Sequence, residues 1–376
     1  VIAVVLATLI LLAYTYLGYP VLLALLTRLR PRRPAARHET LPMVSIFLPV
    51  HNGAAFLARK IDSLLAQDYP PELIEILIYS DGSTDETESL ARELMAAPAA
   101  MGRIQLVAEP ERRGKPTGLN TLRGLARGEL VLLNDVRQPL SPNAVRALAE
   151  AMADPAVGVA TGNLVLVGEA GSGIYWRYEN WIRQKESELR GLVGMTGPIG
   201  MTRLAGMEPL PEDVILDDVW IPMRLALRGQ RVVFVSDAKA FDTAFDDERE
   251  FRRKVRTLAG NYQLFARMPA LLVPILNPIW FETASHKLLR LAAPWLLIAL
   301  AAASTAAALS PAATGVSLMR LLVAAQAAFY AAAALGRFAG RIGSTARTFV
   351  VLNVAALVGL WGFLTGRQRV TWKVTR

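Results

Sequence analysis

Residues 1–29 are apolar almost without a break, and the first charge is Arg28. A helix crossing a hydrocarbon core needs roughly 20 such residues, so this run predicts a membrane-spanning anchor. Tyr14, Tyr16 and Tyr19 fall where the helix would meet an interface. A secretory signal would have a basic start and a small-residue cleavage site, and neither is present. Residues 30–42 read as a basic, Pro-rich linker carrying Arg30, Arg32, Arg33 and Arg37.

Beyond the linker the period changes, and residues 43–263 form a polar domain. Short apolar runs at 44–49, 74–79, 104–108 and 130–133 predict buried strands. Helical stretches follow them, ending at 66 and covering 116–126 and 141–152. Ser83 and Glu86 have capping-box spacing, and Ser141–Pro142 is a helix start. Strands and helices alternate through short loops, so the domain is expected to be α/β with a mostly parallel, Rossmann-like sheet.

Residues 264–287 are broken by Pro269, Pro274 and Pro278. They read as short amphipathic helices at the membrane interface, or as a linker packed on the polar domain. Residues 288–364 form a C-terminal membrane region. It holds spans at 288–309 and 318–335 with an uncharged turn between them. A shorter run, 349–364, carries Asn353 and either spans or re-enters the membrane. Residues 365–376 are a basic tail.

Composition changes the picture in one respect. Hydrophobic residues make up 53% of the chain and charged residues only 19%, with mean hydropathy +0.33. That is too little polar surface for an ordinary soluble enzyme. Cysteine is absent, and the 3 histidines show no zinc-hydrolase spacing. The net charge of +9 could suggest nucleic acid. The arginines, however, cluster beside apolar runs, where they report topology. The reading is an integral inner-membrane protein whose polar domain faces the cytoplasm, with no nucleic-acid partner.

In open α/β sheets ligands bind beyond the carboxyl ends of the strands. Those ends carry His51 and Asn52, then Ser80-Asp81-Gly82, then Asn134 and Asp135. The GxGxxG fingerprint is missing, and Gly114-Lys115-Pro116 is only a fragment of a phosphate loop. Acids at two strand ends, with Arg112, Arg113 and Lys115 between them in sequence, suit a nucleotide diphosphate.

The ordered set Pro49-Val50-His51-Asn52, Ser80-Asp81-Gly82-Ser83-Thr84-Asp85, Gly114-Lys115 with Asn120, and Asp135 resembles the family 2 glycosyltransferases. The apolar flanks resemble its membrane branch, which includes cellulose, chitin and hyaluronan synthases. The resemblance implies a GT-A fold and inverting transfer from a nucleotide sugar, a UDP-sugar by its pattern, in cell-envelope polysaccharide biosynthesis. The acceptor would be a saccharide or a lipid-linked sugar. Pro49, His51, Asn52, Asp81, Lys115, Asn120 and Asp135 would then line the donor nucleotide. Asp218 would be the general base, with Asp217 beside it. Gly197 and Trp181 would lie on the acceptor side, and Arg253 and Arg256 would match the basic part of the QxxRW motif.

Two positions depart from the pattern. Arg137 stands where the DxD motif has its second aspartate, which weakens a Mg²⁺ or Mn²⁺ site. Asp135 with the diphosphate could still hold such a metal, and Arg137 could itself serve the diphosphate. Thr257 replaces the motif tryptophan on which polymerising synthases stack the acceptor. The competing reading is a catalytically degenerate domain that scaffolds synthesis or export partner proteins.

Overall fold

The computed structural model describes residues 1–29, 40–167, 174–243, 247–310 and 315–368. Arg30, Arg32, Arg33 and Arg37 of the linker, the turn tip at Thr314, and Arg369, Lys373 and Arg376 of the tail lie outside the described residues. The chain forms two compact units. One holds Val1–Leu25, Phe245–Gln263 and Thr283–Gln368; the other holds Leu26–Ala244 and Leu264–Glu282. Residues up to Gln263 on α9 thus group with the apolar helices, and 264–282 group with the sheet.

In chain order, α1 (Ile2–Ala13) runs through a π-turn into α2 (Tyr19–Arg28). The sheet domain follows as β1 (Val44–Val50), α3 (Ala54–Leu65), β2 (Ile74–Asp81), α4 (Thr87–Ala96), β3 (Ile104–Glu109) and α5 (Lys115–Leu125). It continues with β4 (Leu130–Asn134), α6 (Ala144–Ala151), β5 (Val157–Val167), α7 (Ile174–Leu189), β6 (Ile199–Arg203), α8 (Asp217–Leu227) and β7 (Arg231–Thr243). Then come α9 (Asp247–Arg267), the single turn α10 (Trp280–Glu282), α11 (Leu289–Leu309), α12 (Val316–Leu335) and α13 (Gly340–Leu364).

The strands form one 7-stranded sheet in the order β3-β2-β1-β4-β6-β5-β7. β1 pairs in parallel with β2 and β4, and β2 with β3; β6 runs antiparallel to β4 and β5. Every residue of β1, β2 and β4 is buried, as expected of central strands covered on both faces. Ile46, Leu48, Leu57, Ile61 and Leu148 form the core on one face. Phe47, Leu77, Leu119, Leu122 and Ile221 form it on the other. The strand order reverses between β1 and β4, so the loops after those strands flank the crevice in which such sheets bind ligands.

One residue breaks the pattern of α3. Its buried stripe is Leu57, Lys60, Ile61 and Leu64, at helical spacing but with a lysine in the row. Lys60 is 0% exposed, and burial pulls its amine down to about 7, although the charge of Asp135 opposes the shift. Between pH 7 and 10.5 the unfolded chain keeps the proton that the folded chain has lost. Stability therefore rises with pH across that window, by up to about 1.4 kcal/mol per unit. Below pH 7 both states hold the proton and the slope vanishes. Thermal melts of wild type and Lys60→Met from pH 6 to 10 check this: the difference between the two proteins should track pH above 7 and flatten below it.

Three local expectations change. The Ser83–Glu86 capping box does not form, and α4 starts at Thr87. The Asp85 carboxylate accepts from the Thr87 amide at 3.0 Å and the Ala54 amide at 3.2 Å, so it caps two helices at once. Residues 264–287 hold only short helical turns. After α9 ends they contain a 3-10 turn (Pro269–Leu272), a loop, and the first turns of the helix that becomes α11. Pro269 opens the 3-10 turn, where no helix hydrogen bond needs its N–H, whereas Pro274 and Pro278 lack the N–H a helix would need there. The third difference is the run at 349–364, which belongs to a 25-residue helix, α13, about 37 Å long at the usual rise. Its Asn353 is buried and returns its side-chain N–H to the Phe349 carbonyl at 2.9 Å.

In the helical unit α1 packs on α11, and α12 packs on both α11 and α13. Gly336 and Gly340, at φ +55° and +63°, permit the sharp break between α12 and α13. Three stretches, Ile2–Arg28, Trp280–Leu309 and Val316–Leu364, are long and apolar enough to cross a membrane, and the last contains both α12 and α13.

Candidate active site

The loops at the carboxyl edge interlock. Asn52 is the one described residue other than glycine with positive φ, at +50°, a conformation asparagine tolerates. There its amide donates to Ser83 Oγ at 3.1 Å, and its Oδ1 accepts from the Thr84 amide at 2.7 Å. His51 Nδ1 lies 2.7 Å from the Asp81 carbonyl. Pro49 sits inside β1, paired in register with Tyr79.

Asp81, 1% exposed, holds the next loop. Its carboxylate accepts from the Arg113 amide at 2.7 Å and from the Gly114 amide at 3.0 Å. The loop crosses so close to Gly82 (φ +60°) that a Cβ there would lie 2.7 Å from the Arg112 nitrogen. Gly114, at φ +94°, then turns the chain into α5, so Lys115 opens that helix pointing along the edge.

Lys115 is the hub. Its Nζ donates to Asp135 Oδ1 at 2.9 Å and lies 3.0 Å from Asp217 Oδ2, with its side chain 11% exposed. The contact to Asp217 is an ion pair off the hydrogen-bonding direction, since that oxygen makes no hydrogen bond. Burial opposes the charge of Lys115, but Asp135, Asp217 and Asp218 outweigh it and hold the ammonium above the ordinary lysine range. Asp135 directly follows β4, whereas Asp217 and Asp218 open α8, where the helix dipole favours carboxylates. One cation thus joins acids from two elements that are far apart in sequence.

Asp218 is half-buried, and its carbonyl accepts from the Met195 amide at 2.8 Å. Gly197 packs against its carboxylate: a Cβ at 197 would stand 3.1 Å from Asp218 Oδ2. Gly197→Ala should therefore displace the carboxylate by a few tenths of an ångström and lower turnover about tenfold, with the fold intact. Steady-state kinetics beside a melting curve would show it, and unchanged kcat would disprove it. Sequence reasoning missed Arg183, on α7. Its guanidinium donates to Thr196 Oγ1 at 2.7 Å, lies 5.3 Å from the Phe234 ring centre, and feels the field of Asp218. A cation two residues after Trp181 and shortly before Gly197 was the available signal.

Known proteins show the same domain. The description "Glycosyl transferase family 2" matches residues 45–210. The match runs from β1 to just beyond β6 and stops before α8. An N-acetylglucosaminyltransferase of Rhizobium leguminosarum is 29% identical over 46% of this chain and 42% of its own length. An uncharacterized glycosyltransferase of Rickettsia prowazekii is 54% identical over 13% of this chain and 15% of its own. The chain therefore spans well under two thirds of either curated relative. Among solved structures, the mannosyltransferase PcManGT of Pyrobaculum calidifontis, in complex with GDP-Man and Mn²⁺, covers 97% of this chain and 99% of its own. It superposes with a TM-score of 0.76 at 25% identity. The sheet domain has the GT-A fold. A likeness specific to cellulose, chitin or hyaluronan synthases does not emerge from these matches.

Along the carboxyl edge of the sheet domain the structure gathers Asp81, Lys115, Asp135, Asp217, Asp218 and Gly197. Other expected positions take different partners. Asn120 spends its amide on Leu210, donating to the carbonyl at 2.8 Å and accepting from the N–H at 2.7 Å. It fixes the segment leading to α8. Arg137 pairs with the buried Asp242 at 2.8 Å and donates to the Thr243 carbonyl at 2.8 Å, so its charge is met on β7. Trp181, on α7, is 39% exposed. Arg253 pairs with Glu250 on α9 at 2.9 Å, and Arg256 lies on the same helix, within the helical unit.

Among the described residues no group of three acids or histidines could hold a metal alone. Asp135, whose side chain is 38% exposed, offers one carboxylate beside Lys115. One carboxylate fits a Mg²⁺ or Mn²⁺ that arrives with substrate phosphates, since such ions keep mostly phosphate and water ligands.

Proposed function

We propose that this chain is a membrane-anchored inverting glycosyltransferase. It moves a sugar from a nucleotide-diphosphate donor to a saccharide or lipid-linked acceptor at the cytoplasmic face of the inner membrane. The observation that carries this reading is the Lys115 ammonium held between Asp135 and Asp217, with Asp218 next in line. A cation for the diphosphate and a carboxylate for the acceptor stand side by side.

Asp218 takes the proton of the acceptor hydroxyl as that oxygen attacks the anomeric carbon. The bond from the anomeric carbon to the diphosphate breaks, its electron pair leaves with the diphosphate, and Lys115 meets the charge. Asp135 would hold a divalent metal carried by the donor, which adds positive charge on the same phosphates. Asp81 and Asn52 shape the loops around the nucleoside. UDP-sugars follow from the sequence pattern, and GDP-mannose from the likeness to PcManGT. These are the donors to test first.

Purified full-length protein in detergent, supplied with UDP- and GDP-sugars and a panel of lipid and saccharide acceptors, should release nucleotide from at least one donor. No release from any donor would favour the scaffold reading. For topology, cysteine-free protein is a ready background. A cysteine at Gly53 would collide with Val50, so exposed Glu72, Arg341 and Ser317 are better probes. Cysteines at 72 and 341 should be labelled from the cytoplasmic side and one at 317 from the outside. Labelling of 72 from outside would reverse the orientation.

A further inference from the structure

The loop after β4 carries Asp135 between two residues that are tied to one buried amine. Lys60 Nζ, on α3, donates to Asn134 Oδ1 and to the Gln138 carbonyl, the latter at 2.5 Å. Asn134 immediately precedes Asp135, and Gln138 closes the turn that follows it. Gln138 also donates to Asp242 at 2.7 Å, and Asp242 holds Arg137. Each described polar side chain from 134 to 138 other than Asp135 is thereby fixed from below or from β7, and Asp135 alone is left to meet Lys115.

This layer is expensive. It buries an amino group completely, and it leaves Asn134 Nδ2 and Gln138 Oε1 buried without a hydrogen bond. Each unpartnered polar group costs free energy that an apolar residue of the same shape would not. A leucine or methionine at position 60 would complete the stripe of α3 and remove part of that cost. Costly buried polar groups concentrate where a site has to be held in one geometry.

We propose that Lys60 is a positioning residue for donor binding: it braces the β4 loop so that Asp135 faces the donor's diphosphate end. This rests on the glycosyltransferase reading above. The structure of the loop supports it directly, because the brace grips the residues on both sides of Asp135 and leaves its carboxylate alone. Removing outer-layer partners of this kind typically weakens the supported site by roughly 10–100-fold.

The test uses full-length protein and its Lys60→Met and Asn134→Leu variants, with GDP and UDP in MnCl₂ as calorimetric probes. Each variant should bind the preferred nucleotide at least about tenfold more weakly than wild type, while the acceptor KM stays unchanged. The double variant should lose no more than Lys60→Met alone, because both substitutions cut the same brace. A lowered melting temperature with unchanged nucleotide affinity would assign Lys60 a purely structural role and overturn the proposal. Should Lys60→Met fail to fold, Asn134→Leu carries the same decision, and wild-type affinity in it overturns the brace. Wild type that binds neither nucleotide would overturn this inference together with the donor reading. Wild type that binds beside variants that bind equally well would overturn this inference alone.

Discussion

Asp218→Asn should abolish sugar transfer while leaving donor binding within about threefold of wild type. The amide keeps the size and most of the contacts of the carboxylate but cannot take a proton. A positioned general base contributes roughly 10²–10⁴ in rate, and kcat should fall by that factor. The donor should notice little, since Lys115, the cation proposed to meet the diphosphate, reaches Asp135 and Asp217 rather than depending on Asp218 for a hydrogen bond. Two features single out Asp218 over its neighbour. Asp217 is 7% exposed and already faces Lys115, whereas Asp218 is half-buried against Gly197 and lies in the field of Arg183. A carboxylate bordered by a glycine has room beside it for an acceptor hydroxyl. Nucleotide calorimetry and turnover in the same preparation decide the matter. Near-normal turnover, or donor affinity lost along with turnover, would move the base to Asp217.

Much of this site could be read from the chain because its acids stand at strand ends, and strand ends are set by local apolar runs. β1, β2 and β4 end within two residues of where their apolar runs stop, which puts Asn52, Asp81 and Asp135 at the edge. The later strands were not legible. β5 and β7 are long, with register shifts between them, and parts of both are half-exposed, so their periodicity is weak. β6 is short and enters antiparallel after the segment holding Gly194 and Gly197, a connection no local pattern announces. Side-chain allegiance was harder still. Nothing near Arg137 in sequence points to Asp242, which lies on β7, nor does Asn120 reveal that Leu210 will claim both of its amide atoms. Lys60 was visible as a charge in an apolar stripe, but its partners belong to a loop that folds beneath it only in three dimensions.

Lys115→Met should be the most damaging single change on the donor side. It removes the cation between Asp135 and Asp217 and leaves two carboxylates from different elements facing each other, that of Asp217 largely buried. Breaking a buried pair by deleting one partner typically costs about 3–5 kcal/mol, because the remaining charge stays desolvated. The melting temperature should fall accordingly. Nucleotide-diphosphate affinity should fall as well, and turnover by roughly 10²–10³, the range typical of losing one preorganised charge-stabilising group. The pH dependence of the wild type follows from the direction of the shift. With its folded pKa raised above the unfolded value, Lys115 contributes its full stabilisation below about pH 10.4 and loses it only above that range. No stability change between pH 6 and 9 should then trace to this residue, in contrast to Lys60. Deleting the ammonium also uncovers Asp135 Oδ1 for a divalent ion, so Mn²⁺ should restore more nucleotide binding in Lys115→Met than it adds in wild type. Calorimetry with the preferred nucleotide across an EDTA and Mn²⁺ series measures this. Unchanged affinity in EDTA would show that the Lys115 cation holds the two elements together without meeting the diphosphate.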